Sequence, residues 1–277
     1  MAIKYKGFLN GNALKLLAAL FMLADHIGFV FAPLLDISAT LALRGVGRLA
    51  MPLFAYMIAE GCIYTKNRRN YFLTLFSMGV VCAAAYYVAL GEVYLSIMTT
   101  FSISVLLIYA YDGMVNAVKQ KTGGFFTYFI SFVAIIFGTV ALELILHEKG
   151  GYLDYGLVGT LLPLLAYVFK NRWLRLLPFA AGLILMSLLQ SVDEAAISNL
   201  LTAMPEYEGL ISTYLITGYS IGGMPLQWLS LGSLVLLSLY NGERGRLNLK
   251  YFFYLFYPIH LLVLQGLFMI IYPLVMM

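Results

Sequence analysis

Eight ionisable side chains interrupt runs that are otherwise apolar: Asp25, His26, Arg44, Arg48, Glu60, Asp112, Glu143 and His260. At the depth of a membrane helix such a group costs at least roughly 2.5–3.5 kcal/mol, so it faces a cavity or a partner. Imidazole is the natural base near neutral pH, and a guanidinium in a water-poor site stabilises a developing oxyanion. Arg44 and Arg48 are spaced i, i+4 and share a helix face, with Gly45 and Gly47 letting a neighbour approach closely. Asp25 and His26 are adjacent and diverge by about 100° on a helix, so Asp25 is badly placed to orient His26 and better placed to meet an arginine. An Asp–Arg pair that only locks two helices is the bland alternative. Counting about 1.5 Å per residue from the turn near Pro33, His26 and Arg48 both lie about 10 Å below the outer boundary. Glu60 marks the inner half of the second helix, or is an interfacial acid near Lys66. His260 follows a helix-breaking proline in FYPIH (256–260). Asp112 reads as an inner-interface residue, and the Glu143/His147 pair as a solvated helix end or the lining of an outer vestibule. Metal-ligand spacing, a P-loop and GxGxxG are all lacking, so no metal is expected.

The elements that must position these residues follow from composition. The chain has 277 residues, 62% hydrophobic and 11% charged, with a mean hydropathy of +0.89. Soluble domains carry about a quarter charged residues. A water-soluble enzyme, a disordered chain and a nucleic-acid binder are therefore excluded, and the expected class is an all-α polytopic integral membrane protein. Apolar runs bounded by charges, Gly, Asn or Pro give nine segments, at 13–35, 41–64, 71–90, 95–118, 125–147, 152–169, 173–191, 209–240 and 251–275. Gly222, Gly223 and Pro225 divide the eighth, which reads as a broken helix or a re-entrant piece followed by a span. Lys4 and Lys6 before Leu14–Ala24 resemble a signal peptide, but Asp25 and His26 interrupt the run and no convincing cleavage site follows, so a retained first helix is expected.

With the N-terminus placed in the cytoplasm, Lys4, Lys6, Lys15, Lys66, Arg68, Arg69, Lys119, Lys121, Lys170, Arg172, Arg175, Arg244, Arg246 and Lys250 fall on the inner side, 14 of the 17 basic residues. The outer side holds Asp36, Glu92, Glu148, Asp154, Asp193, Glu194, Glu206 and Glu208. The Lys/Arg bias favours nine spans, N-terminus in and C-terminus out. The polar stretch 192–208 reads as a connecting loop or a cap over an outward-facing site. Cys62 and Cys82 lie in apolar runs and indicate no disulfide framework. Internal repeats and a soluble domain are lacking, so 1–277 reads as one transmembrane domain.

LKLLAALFMLADHIGFVF and LRGVGRLAMPLFAYMIAEGCIYTKNRRNYFLTL resemble the TraX family, named for an integral-membrane enzyme that acetylates the N-terminus of conjugative pilin. DHIG (25–28), LRGVGRLAMPLFAY (43–56), EG (60–61) and T-x-N-R (65–68) carry the resemblance, with weaker support from DYGLVGTLLPLLAYVF (154–169) and YPIHLLVL (257–264). It implies a transmembrane acetyltransferase similar in plan to heparan-glucosaminide N-acetyltransferases and to bacterial membrane acyltransferases of surface sugars. Acetyl-CoA would be the cytoplasmic donor. The acceptor would be an amine or hydroxyl of a surface sugar, a lipid-linked molecule or a peptide N-terminus, reached at the membrane or outer face of a bacterial plasma membrane.

On that resemblance His26 is the catalytic histidine, Arg44 and Arg48 are the paired arginines, and His260 belongs to the last-helix motif. Asp25 joins them through an arginine. Glu60, Lys66, Arg68, Arg69, Arg172 and Arg244 are the donor-side residues, although orientation alone explains the cations among them. Acyl-CoA, the acceptor and the bilayer are the expected partners, nucleic acid is not, and a homodimer is compatible with the sequence. A transporter or lipid flippase with an intramembrane Asp/Arg/His relay is the alternative, weakened by the lack of repeats. A purely structural or signalling membrane protein is the third.

Overall fold

A computed structural model describes residues 7–91, 93–202, 220–221, 224–246 and 249–276. Ten α-helices account for most of it: α1 (Gly11–Val30), α2 (Ile37–Gly47), α3 (Ala50–Tyr64), α4 (Arg68–Leu90), α5 (Ile97–Gln120), α6 (Phe125–Glu148), α7 (Gly156–Tyr167), α8 (Arg172–Thr202), α9 (Ser233–Ser238) and α10 (Lys250–Met276). A 3₁₀ helix, Leu226–Gly232, leads into α9. Among the described residues, seven helices are long and apolar enough to cross a membrane, counting α2 and α3 as one 28-residue stretch, and two shorter apolar helices accompany them, Gly156–Tyr167 and Leu226–Ser238. The protein is an all-α membrane protein. Among the described residues, seven of the nine expected segments carry a helix long enough to span, while the sixth and the described part of the eighth carry only short ones.

Two boundaries differ from expectation. The second segment is not one helix: it turns at Arg48–Leu49, between α2 and α3. Pro52 explains the break, because it has no amide hydrogen to give the carbonyl of Arg48 and its ring crowds that carbonyl. The polar stretch expected to begin a loop at 192 instead continues α8 to Thr202. No glycine or proline interrupts SVDEAAISNLLT, and helix needs only an unbroken backbone ladder. The rest of that stretch, and most of the 209–225 piece read as re-entrant, lie outside the described residues; Ser220–Ile221 and Met224–Pro225 pair as a short antiparallel hairpin. Glu92, Glu206, Glu208, Lys4 and Lys6 also lie outside them.

Backbone contacts divide the chain into two compact units, one running to Phe54 and resuming at Leu183, the other spanning Ala55–Gly182. In the first, α1 and α2 are antiparallel partners, and α1 also packs on α10, where Phe31 meets Phe268 edge to face at 5.8 Å. Asn10 caps α1 by accepting from Ala13 N at 2.9 Å, and Asp36 caps α2 by accepting from Ala39 N at 2.7 Å. The remaining first-turn amides of α1 are satisfied from further along the chain: Gly11 N donates to Glu243 O at 2.7 Å and Asn12 N to Arg244 O at 3.0 Å. The second unit packs α5 against α4, α6 and α7 around Cys62, Leu75, Val105, Ile108 and Leu164. Hydroxyls pin α5 to the α7 side, Thr100 Oγ1 donating to Asp154 O at 2.6 Å and Ser104 Oγ to Thr160 O at 2.7 Å. Beside them Tyr94–Leu95 pairs in parallel with Tyr152–Leu153.

Candidate functional site

The five residues expected to carry chemistry are brought together within the first unit. Asp25 and His26 stand on α1, Arg44 on α2, Arg48 at the cap of α2, and His260 on α10. Arg44 Nη1 donates to Asp25 Oδ2 at 2.6 Å, and Arg48 Nη2 lies 4.0 Å from the other carboxylate oxygen. Both arginines are buried, while Asp25 and His26 are half-buried. The close approach that allows this depends on glycine. A Cβ on Gly47 would collide with the Asp25 side chain, and one on Gly28 would come within 2.9 Å of Leu43 Cβ. Gly45 serves a different neighbour, lying against Leu229 of the 3₁₀ helix.

Asp25 does not orient His26, as the 100° divergence requires. His26 Nδ1 lies 2.8 Å from the carbonyl of Met22, and His260 Nδ1 lies 2.7 Å from that of Phe256. A carbonyl can only accept, so each Nδ1 carries the hydrogen and each neutral ring has its lone pair on Nε2. His260 Nε2 in turn lies 3.3 Å from His26 Nδ1 and accepts a second share of that hydrogen. The rings meet edge to face, centroids 4.8 Å apart, and Phe256 stacks on His260 at 4.9 Å. His26 is thus held in one tautomer from two sides, with its basic nitrogen directed away from both holders. Arg44 also stands over the Phe29 ring at 5.4 Å. Together these groups supply a fixed imidazole base beside a carboxylate-anchored guanidinium.

The donor-side residues are more scattered. Lys66, Arg68 and Arg69 are exposed near the start of α4, Arg172 is half-buried at the start of α8 over the Trp173 ring, and Arg244 is exposed in the loop that docks on α1. Arg68 donates to Asp112 Oδ2 at 2.7 Å, and Tyr167 OH donates to the same oxygen at 2.6 Å. Beside them a cleft of about 320 Å³ is lined by Arg68, Tyr109, Gly113, Asn116, Gln120 and Tyr128, among others. Glu60 is neither a free interfacial acid nor paired with Lys66. Its Oε1 accepts from Arg175 Nη1 at 2.5 Å, both side chains are buried, and Arg175 Nε also donates to Ala166 O at 2.5 Å. Arg175 stands over the Tyr56 ring at 5.2 Å.

Arg175, expected on the inner side with the other basic residues, is thus a buried partner of Glu60. It lies inside the apolar run RWLRLLPFAAG, three residues before Pro178, a position that signals burial from sequence. Glu143 packs beside Gly156 at the start of α7, and His147 is exposed.

The TraX protein family matches residues 10–268 of this chain. The chain belongs to the TraX family. The match takes in α1 through most of α10, and therefore all five residues of the His/Asp/Arg cluster. Among curated relatives, the "probable fimbrial assembly protein FimC, serogroup H1" of Dichelobacter nodosus is 26% identical over 263 residues, covering 91% of this TraX-family chain and 92% of the relative. No solved structure matches this chain.

Proposed function

We propose that this TraX-family protein is a transmembrane acetyltransferase of the bacterial plasma membrane, taking its acetyl group from cytoplasmic acetyl-CoA. The observation that carries the reading is the tautomer lock on His26, whose Nδ1 hydrogen is held by Met22 O and His260 Nε2 beside the Asp25–Arg44 pair. The lock gives His26 its lone pair on a defined nitrogen, Nε2, which a general base requires.

In this reading the acceptor's amine or hydroxyl loses its proton to His26 Nε2 as it attacks the thioester carbonyl. The carbonyl oxygen takes up negative charge, for which Arg44 and Arg48 provide nearby positive charge in a water-poor setting. Collapse of the tetrahedral intermediate breaks the C–S bond, and the departing CoA sulfur recovers the proton from the imidazolium. Asp25 anchors the guanidinium of Arg44, and His260 positions His26. The donor's phosphates meet inner-side cations, for which Arg244, in the same unit as the cluster, is the candidate. The relative's printed name, a fimbrial assembly protein, supports an acceptor among surface-appendage components, either a peptide N-terminus or a sugar.

The test is transfer of labelled acetyl groups by purified protein in detergent, offered pilin-like peptides and surface-sugar acceptors. His26→Ala should abolish transfer while leaving CoA binding intact. Equal turnover by wild type and His26→Ala, or no binding of acetyl-CoA by the wild type, would end the reading.

A further inference from the structure

Between the basic ends of α4, α5 and α6 the second unit has a hollow that its own side chains leave unfilled. It is the cleft of about 320 Å³ beside Arg68, a size within the range of small-ligand pockets, roughly 300–1,000 Å³. Tyr109, Gly113, Asn116 and Gln120 line it from α5; they follow at intervals of three or four residues and so share a helix face. Gly113 brings the opposite wall in. With no side chain there, the Tyr128 ring of α6 lies directly against α5, where a Cβ would collide with it. Arg68 flanks the hollow from α4, and Thr122 from the turn between α5 and α6. All of these residues belong to the one unit, Ala55–Gly182.

The lining has open hydrogen-bonding groups. Among the described residues, the side chains of Asn116, Gln120 and Thr122 make no hydrogen bond with the protein. Arg68 commits Nη2 to Asp112 and stands over the Tyr109 ring at 4.9 Å, which leaves its other nitrogens to donate. The charge around the hollow is one-sided. Lys66, Arg68 and Arg69 at the start of α4 and Lys119 and Lys121 at the end of α5 flank it. The acid among them, Asp112, is already shared by Arg68 and Tyr167. Orientation accounts for the cations; the hollow among them gives an anion a place to sit. The α6 wall then continues into lipid-facing surface. Of the 24 residues of α6 only Thr139 and Leu146 are buried, and Phe126, Phe129 and Ile130, within a turn of Tyr128, are 73%, 46% and 65% exposed.

A ligand that satisfies both surfaces carries a phosphate for Arg68, hydroxyls for the amides and an apolar tail for α6. We propose that this hollow binds the headgroup of an anionic phospholipid, its phosphate on Arg68, its hydroxyls on Asn116, Gln120 and Thr122, and its acyl chains along α6. The proposal does not depend on the acetyltransferase reading.

The experiment is equilibrium binding to the full-length protein in a neutral detergent. The probes are a fluorescent phosphatidylglycerol, the matching phosphatidylcholine and adenosine 3′,5′-bisphosphate. Wild type should prefer phosphatidylglycerol by about ten-fold or more, and Arg68→Gln should lose about ten-fold in affinity for it. Asn116→Ala/Gln120→Ala should lose about five-fold. Those two side chains have no partner in the protein, so the double variant should melt no lower than wild type. It decides the result if Arg68→Gln, which deprives Asp112 of its cation, fails to fold. Lys119→Gln removes an exposed charge outside the hollow and should change affinity by about two-fold or less. Equal affinity of wild type for the two lipids would overturn the proposal. So would equal losses in Arg68→Gln and Lys119→Gln with none in the amide variant, which would trace binding to the general positive field. Displacement of phosphatidylglycerol by the bisphosphate, with the same variants weakening both, would make the hollow a nucleotide site and overturn the lipid assignment.

Discussion

The Asp25–Arg44 contact and the Glu60–Arg175 contact are both buried ion pairs, yet they differ in what surrounds them. Arg175 is further held by Ala166 O and the Tyr56 ring, whereas Asp25 sits half-buried next to a histidine locked in one tautomer. Removing one partner of a buried pair strands a charge and costs about 3–5 kcal/mol, while replacing both by apolar residues is often neutral. Glu60→Gln and Arg175→Met should each lower stability by about that amount, and the double variant Glu60→Leu/Arg175→Met should recover much of the loss, as read by thermal melts in detergent. For the other pair we expect a different outcome. A combined Asp25→Leu/Arg44→Leu replacement should recover stability but not acetyl transfer, since in the proposed mechanism the pair anchors charge beside the thioester. The Asp25–Arg44 contact was legible in the sequence because both residues lie on consecutive helices joined by a short turn. His26 against His260 was not, because 234 residues separate them and only the packing of α1 on α10 sets their distance.

Among the elements, the division of the second apolar segment into α2 and α3 matters most. Sequence periodicity treats 41–64 as one helix, since apolar residues run through it without pause. The break depends on a missing hydrogen bond at Pro52, which hydropathy cannot register. Pro52→Ala should let α2 and α3 run on as one helix, swing Arg48 away from Asp25 and reduce transfer by an order of magnitude or more without preventing membrane insertion. Gly47→Ala should likewise reduce transfer, because its methyl occupies the place of the Asp25 side chain. Gly138→Ala is the control: a Cβ there meets nothing within 4 Å, so it should be neutral or slightly stabilising through helix propensity.

For the whole molecule, composition alone was enough to give the membrane class, because the deficit of charge leaves few alternatives. The two-unit division was not visible, since α3 and α8 each begin in one unit and continue in the other without any change in composition. The placement of basic residues predicts an inward N-terminus. Cys62 and Cys82 are both buried, so cysteines introduced at Lys121 and Lys149 can be labelled selectively. Lys121→Cys should react with an impermeant maleimide only after the membrane is opened, and Lys149→Cys in intact cells; the reverse pattern would invert the orientation.

The two ion pairs also set a schedule for biosynthesis. Nineteen residues separate Asp25 from Arg44, but 115 separate Glu60 from Arg175. At a translation rate of about 5–20 residues per second, the first pair closes within roughly 1–4 s, whereas Glu60 waits roughly 6–23 s for its arginine to leave the ribosome. During that interval the nascent chain holds an uncompensated acid at the insertion machinery. Ribosome-stalled chains ending before Arg175 should therefore remain crosslinkable to the translocon through α3, and chains extended through α8 should be released into lipid.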